Sequence, residues 1–391
     1  MYDAIVAGLG PAGSTAAYSL AQKGWKVLGI DKARFPRYKS CGGCISTKIE
    51  RILDFDIKET VEETAFGATF TYKAGRTMDI LSDRPVGYNV MRDVFDDHLL
   101  KKAREAGVEV IEGLRVKGVA DSGGFVTVFC EGGQEFKAKF LIGSDGSSGV
   151  VGREYFGLDP KEAAISITAE VPYGPAGKTV HNKLFIDFGS IPFGYGWIFP
   201  KKDFLSVGIA GDAAKVGGKV KDYFNEFVST HEALKGLKID HRDGWTVPIF
   251  YTGAATPVRG RVVLAGDTGH LVDPFLGEGI YYAIRTAKAA AVAVDTALKT
   301  GDADLSSYKD WLEKEVYPEF RSAERLSDLV YDHPRLWYSI IEKDHDIMRR
   351  YYNVIRGEET ADSFYSWVYN KVKSKPWKVL RRWIESRFMP A

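Results

Sequence analysis

The residues of this chain whose types and spacing suit chemistry begin at its first turn. The run Ala4-Ile5-Val6-Ala7-Gly8-Leu9-Gly10-Pro11-Ala12-Gly13 joins an apolar strand to a helix. Gly8 permits a tight bend, Gly10 lets the backbone approach a pyrophosphate, and Gly13 allows helix and strand to pack closely. The amides of the helix start, at Ala12 and Gly13, then face the phosphates. Asp31 stands twenty-one residues after Gly10, at the end of the next apolar run, where a carboxylate accepts from a ribose hydroxyl. This is dinucleotide chemistry, and NAD alone would account for it.

Two distant acidic steps change that reading. Asp145-Gly146 follows the apolar run Phe140 to Gly143, and Gly266-Asp267 follows Arg261 to Ala265, more than two hundred residues after the first turn. An acid at Asp267 can bind ribityl hydroxyls, while Gly277, Gly279 and Ile280 open a helix whose amides approach a flavin edge. In this order and at these separations the motifs resemble FAD proteins of the para-hydroxybenzoate hydroxylase type, with the glutathione-reductase form of the cofactor domain. The resemblance extends to Arg92, because Arg92-Asp-Val-Phe95-Asp96-Asp-His-Leu99 is similar to the family's Arg-x-x-Phe-Asp-x-x-Leu helix start. It implies an arginine near the flavin's linker and a strand around Val116 passing the adenine; a solvated helix-start arginine is the competing reading.

Two more stretches carry chemistry. Pro36-Arg-Tyr-Lys-Ser-Cys41-Gly42-Gly43-Cys44-Ile45 follows the ribose acid, and Tyr195-Gly-Trp197-Ile-Phe199-Pro200 lies in a later strand-rich region. Together they resemble the geranylgeranyl reductase family, including its archaeal members that act on digeranylgeranylglycerophospholipids. The resemblance covers roughly residues 1 to 300. It implies FAD-dependent saturation of isolated double bonds in prenyl chains of diether lipids, chlorophyll side chains or quinones. It also places Cys41, Gly42 and Cys44 beside the flavin, and Tyr195, Trp197 and Phe199 along the substrate cavity.

The bottom-up chemistry is compatible. An isolated C=C has no carbonyl to polarise it, so hydride transfer must be matched by protonation at the other carbon in a water-poor cavity. Tyr195 and Trp197, two apart on an extended segment, project to one face and suit gripping a prenyl chain; ordinary sheet-core aromatics are the bland alternative. Cys41 either shapes the pocket or relays a proton, and as a neutral thiol it is the poorer acid. Cys41 and Cys44 also have the spacing of a reversible disulfide, of half a zinc site lacking its second half, or of two buried structural thiols. Two rival functions stay open: a flavin-dependent monooxygenase or halogenase on the same scaffold, and a membrane-associated flavin/dithiol redox sensor. The halogenases of this type carry Trp-x-Trp-x-Ile-Pro where this chain has Tyr195-Gly-Trp197-Ile-Phe199-Pro200.

The elements that must position these residues follow from the hydrophobic pattern. An α/β fold is expected, with a Rossmann-like FAD-binding domain over 1–163 and 257–300, an inserted antiparallel-sheet substrate domain over 164–256, and a helical C-terminal region over 301–391. Helices are expected over 12–23, 94–106 and 279–298, and strands over 3–8, 26–30, 108–112, 125–130, 139–143, 165–171, 183–188 and 205–210. At 391 residues the chain buries a full core without staples, and its three cysteines make no secreted framework. Met1-Tyr2-Asp3 running straight into a strand leaves no export signal, so a cytoplasmic setting is expected. No apolar run is long enough to span a bilayer. A formal charge of +1 gives no global pull towards nucleic acid.

One local patch stands apart. Lys371, Lys373, Lys375, Lys378, Arg381, Arg382 and Arg387 alternate with Trp377, Leu380, Trp383, Ile384 and Phe388 at helical spacing. Such a helix either lies in a membrane interface, on the inner face if cytoplasmic, or packs on the body. The electron donor has no readable motif: no second Gly-x-Gly-x-x-Gly turn is present for NAD(P)H, and a ferredoxin would leave none.

Overall fold

A computed structural model describes residues 1–159, 163–173, 180–253, 256–374 and 376–387. They divide into two compact units, one within 1–39, 92–162 and 247–320, the other within 40–91, 163–246 and 321–391.

In the first unit, parallel strands run in the order Glu109–Glu112, Val27–Asp31, Tyr2–Ala7, Glu135–Gly143 and Val262–Leu264. The chain's first strand is therefore central, and Ala4, Ile5, Val6 and Ala7 are all buried, as a parallel strand covered on both faces requires. Val126–Cys130 and Val116–Asp121 add an antiparallel flap to Glu135–Gly143. The helix Pro11–Ala21 packs against both Ile280–Thr300 and Arg92–Glu105. Small buried residues, Gly13, Ala16 and Ala17 on one side and Ala283, Ala287, Ala290 and Ala291 on the other, make so close an approach possible. Helix Ile280–Thr300 stops at Gly301, whose left-handed backbone closes the last turn.

The second unit is built on a seven-stranded sheet in the order Asp243–Val247, Ala164–Pro172, Phe204–Asp212, Gly194–Pro200, Leu184–Phe188, Gly67–Tyr72 and Thr77–Leu81. Its pleat sorts the side chains. Ile167, Ala169, Ile198, Val207 and Ile209 pack under helix Val220–Thr230, with Phe224 and Phe227. Tyr195, Trp197 and Phe199, alternating with Ile198, fall on the opposite face. A three-stranded sheet, Cys44–Ser46, Gly87–Val90 and Val61–Ala65, holds the cysteine turn. Helices Pro334–Lys343, Asp346–Ile355, Ala361–Lys373 and Pro376–Arg387 complete this unit.

The expected α/β class, the βαβ start and the helical C-terminal region are present, with ends shifted by a few residues. Helix one begins at Pro11, and the strand expected over 139–143 begins at Glu135. Five strands between Cys44 and Val90 had no sequence expectation. Two of them belong to the seven-stranded sheet, Gly67–Tyr72 pairing in parallel with Leu184–Phe188 from far along the chain. Among the described residues no helix is long and apolar enough to cross a membrane.

Candidate functional site

The cofactor residues of the first unit converge on the glycine turn. A Cβ on Gly8 would stand 2.6 Å from Asp145 Cα, and one on Gly13 would stand 1.8 Å from Gly8 O, so both positions exclude any side chain. Gly266, with φ +60°, puts the Gly266-Asp267 step against the helix start: its Cβ position lies 3.2 Å from that of Ala12 and 3.1 Å from that of Ala283. Asp267 Oδ1 lies 3.4 Å from where Gly279 would carry a Cβ. Gly8, Gly10, Ala12, Gly13, Asp145, Asp267, Gly279 and Ile280 are thus gathered by one packing arrangement.

The carboxylates divide in what they do. Asp31 accepts from Leu9 N at 2.7 Å through Oδ2 and from Ala33 N at 2.8 Å through Oδ1, so it shapes the turn. Asp145 accepts from Val151 N at 3.1 Å, and burial pushes its carboxyl up to about 6 against the pull of the Val151 and Val150 amides. It braces its own loop. The Asp267 carboxylate takes no hydrogen bond from another described side chain or amide, which leaves it available.

Arg92 forms a two-pronged pair with Asp96 one turn on, 2.8 Å from each nitrogen, and Arg37 Nη1 reaches the same carboxylate at 2.9 Å. Arg37 had no sequence expectation, yet its Nη2 lies 3.5 Å from the Cβ position of Gly10, where, chain neighbours aside, no other group of the described residues comes within 4 Å. Val116 turns its side chain into the core with Ile5, Ile30 and Val128, so only its backbone is left to pass an adenine.

This arrangement fits FAD. Chain neighbours aside, the described residues bring only a guanidinium over Gly10, and helices Pro11–Ala21 and Ile280–Thr300 both start without a side-chain cap. The amides of Ala12 and Gly13 in one and of Ile280 in the other suit the oxygens of a ligand.

The second unit brings the cysteine turn onto the aromatic strand. A Cβ on Gly42 would meet Phe199 at 3.0 Å and Trp197 Nε1 at 3.1 Å. A side chain there would push these rings back by a few tenths of an ångström. Cys41 Sγ accepts from Gly43 N at 3.3 Å, and Cys44 pairs in register with Asn89. No disulfide joins Cys41 to Cys44. Tyr195, Trp197 and Phe199 form a ladder with ring centroids 6.1 and 6.2 Å apart, extended by Tyr331 stacked 6.4 Å from Tyr195. Trp197 is 6% exposed, and its indole N–H has no partner among the described residues, a donor left over for a ligand or water.

Sequence reading missed three supports of this wall. Gly208, opposite Trp197 in the ladder, leaves the room its ring fills: a Cβ there would lie 2.2 Å from Trp197 Cζ2. Asn89 Nδ2 donates to Pro200 O at 2.9 Å, and the buried Lys201 Nζ donates into the cysteine turn. The flanking Gly-x-Gly spacing of Gly194 and Gly196 hinted at close packing; nothing local pointed to Lys201.

The C-terminal helix Pro376–Arg387 exposes Trp377 (80%), Leu380 and Ile384. Part of its charge is spent internally: Arg381 and Arg382 share Glu385, and Lys371 of the preceding helix pairs with Asp344 at 2.6 Å. Lys375 and Phe388, and the side chains of Lys378 and Arg387, lie outside the described residues.

Comparison with known proteins agrees with this geometry. An FAD binding domain family matches residues 1–172. The chain is 30% identical over 370 residues to an uncharacterized protein of Methanosarcina barkeri, covering 93% of this chain and 92% of that one. It is 30% identical over 361 residues to the geranylgeranyl diphosphate reductase of Rhodobacter capsulatus, covering 88% of each. It is 31% identical over 330 residues to the digeranylgeranylglycerophospholipid reductase of Methanosarcina acetivorans, covering 80% of each. Among solved structures, a geranylgeranyl bacteriochlorophyll reductase-like protein of Thermoplasma acidophilum superposes with a TM-score of 0.76 at 22% identity, over 98% of this chain and 99% of that one. A flavin-dependent brominase superposes with a TM-score of 0.72 at 20% identity, over 96% and 99%, and shares the fold. FAD is the cofactor, and the chain belongs to the geranylgeranyl reductase family of FAD-dependent oxidoreductases.

Proposed function

We propose that this chain reduces isolated C=C bonds in geranylgeranyl or longer polyprenyl chains, carried by an archaeal-type membrane lipid, a chlorophyll side chain or a prenyl quinone. The observation that carries the reading is the Cys41–Cys44 turn seated on the Trp197 and Phe199 rings through Gly42. The FAD-binding role falls to 1–163 with 257–300, the substrate-gripping role to the sheet of 164–256, and the helices of 301–391 supply Tyr331 to the aromatic wall.

When bound in its reduced form, FAD would supply the hydride. The residues of the chain do the rest. Tyr195, Trp197 and Phe199 give an apolar, polarisable surface on which a prenyl chain lies without hydrogen-bonding demand. By excluding water they strengthen whatever electrostatics act on the alkene. Cys41 stands with its sulfur engaged by the Gly43 amide, so it positions the turn; the proton for the second carbon comes from this thiol or from water. Gly8, Gly10, Ala12, Gly13, Asp31, Arg92, Val116, Asp145, Asp267, Gly279 and Ile280 would hold the cofactor, and Cys41, Gly42 and Cys44 would serve the flavin.

The exposed Trp377, Leu380 and Ile384 beside Arg381 support a peripheral contact with an anionic bilayer, on the cytoplasmic side, from which such a substrate would be drawn. Either NAD(P)H or a ferredoxin replenishes the electrons, and anaerobic flavin bleaching by each donor in turn separates them. The function is tested by incubating dithionite-reduced protein with prenyl diphosphate, diether-lipid and prenyl-quinone substrates and weighing the products. Addition of two hydrogens per double bond is expected; unchanged mass across all three classes refutes the proposal.

A further inference from the structure

Lys201 follows the aromatic strand and is fully buried, at 0% exposure. Its Nζ lies 2.7 Å from Val90 O, 2.9 Å from Gly42 O and 3.1 Å from Gly43 O. A neutral amine has two hydrogens for these three acceptors, and an ammonium has three. The geometry is that of a charged group. Gly43, at φ +66°, is glycine for the same reason: a Cβ would stand 2.3 Å from Val90 O and 2.6 Å from Nζ.

The surroundings lock the ammonium in place. Lys201 N donates to Phe204 O at 2.7 Å, Tyr173 Oη donates to Lys201 O at 3.0 Å, Asn89 holds Pro200 O, and Val90 N donates to Gly43 O at 2.7 Å. Burial holds its affinity for a proton below that of a free lysine, and the charged or titratable groups facing it, Glu170, Cys44, Cys41 and Glu62, pull the other way. A methionine would fill the same volume without a charge to desolvate, so packing alone does not explain a lysine here.

We propose that Lys201 is a positioning residue for the reaction: its ammonium clamps the Gly42, Gly43 and Val90 carbonyls and thereby sets where Cys41 and Gly42 stand against Trp197 and Phe199. This rests on the reading that the turn faces the flavin. On that reading a fixed positive charge held by the turn would favour the reduced, more electron-rich cofactor.

The test compares FAD-loaded wild type with Lys201→Met and Lys201→Arg. In Lys201→Met, FAD stoichiometry is retained, and amide exchange at Val90 and over 41–46 rises by more than about tenfold as the clamp opens. The flavin midpoint potential moves to more negative values, and kcat for alkene reduction falls by more than about tenfold with KM little changed. Lys201→Arg restores the potential, in whole or in part. Unchanged exchange or an unchanged potential in Lys201→Met overturns the proposal. If exchange and potential respond but wild type reduces no prenyl substrate, the functional reading fails and the clamp stands. Should Lys201→Met not fold, wild type with 15N-labelled lysine decides: a slowly exchanging ammonium signal at neutral pH, lost in Lys201→Arg, supports the clamp, and a neutral amine overturns it.

Discussion

Replacing Gly208 by alanine probes the aromatic wall through its least visible member. The added Cβ would lie 2.2 Å from Trp197 Cζ2, 2.6 Å from Trp197 Cε2 and 2.6 Å from Ile167 O. Carbon atoms in contact rest at about 3.5–4.0 Å, so one partner must give by roughly 1.5 Å. Ile167 belongs to a ladder running in register from Ala164 to Pro172 and cannot move alone. The indole therefore moves. Overpacking of this kind costs about 1–3 kcal/mol, and a catalytic surface misplaced by about 1 Å loses up to about 100-fold in rate. The control is Gly196→Ala on the other face of the neighbouring strand, where the new methyl would press on Phe227 at 2.8 Å, on the side away from the Trp197 ring. Urea unfolding and kcat/KM for prenyl reduction are measured on both. Both variants are expected to lose about 1–3 kcal/mol of stability with FAD retained, and Gly208→Ala alone to lose about 10- to 100-fold in kcat/KM. Equal loss of activity in the two, or full activity in Gly208→Ala, refutes the assignment of Trp197 to substrate.

The glycine turn makes two opposite forecasts: Gly10→Ala leaves the apoprotein's stability within about 1 kcal/mol but weakens FAD binding by more than about tenfold, whereas Gly13→Ala, meeting Gly8 O at 1.8 Å, destabilises the fold itself. Flavin fluorescence titration and apoprotein unfolding separate them. Asp145 has its carboxyl raised from 3.8 to about 6, so its buried form contributes fully below pH about 4 and that contribution is lost as pH rises through about 6. Asp145→Asn is accordingly expected to stabilise the apoprotein by up to about 3 kcal/mol at pH 8 and by little at pH 4; an equal gain at both contradicts the linkage. Replacing Trp377 and Ile384 by serine is expected to abolish sedimentation with anionic vesicles while leaving turnover of a detergent-dispersed substrate intact, and unchanged sedimentation removes the membrane reading.

Legibility from sequence tracked how local each constraint is. The first turn could be read because Gly8 and Gly13 answer to backbone geometry within a few residues, and Asp31 answers to the strand that ends at it. The double duty of Asp31, accepting from Leu9 and Ala33, needed the turn in three dimensions. Among the strands between Cys44 and Val90 most pair with one another, and only Gly67–Tyr72 also takes a remote partner, Leu184–Phe188, which no local pattern announces. Gly208 takes its meaning from a register with Trp197, and Lys201 from carbonyls 111 to 159 residues away. Arg92 was legible as the start of a helix, but its bond to Asp96 and the arrival of Arg37 at the same carboxylate were not.

In the proposed reaction electrons leave this flavoprotein for a prenyl C=C bond. Anaerobic stopped-flow mixing of the fully reduced protein with a geranylgeranyl substrate tests it directly. Reappearance of oxidised-flavin absorbance, with one double bond saturated per flavin reoxidised, is the predicted result. Flavin that stays reduced under these conditions, and reoxidises only on admission of oxygen with the alkene intact, contradicts the account.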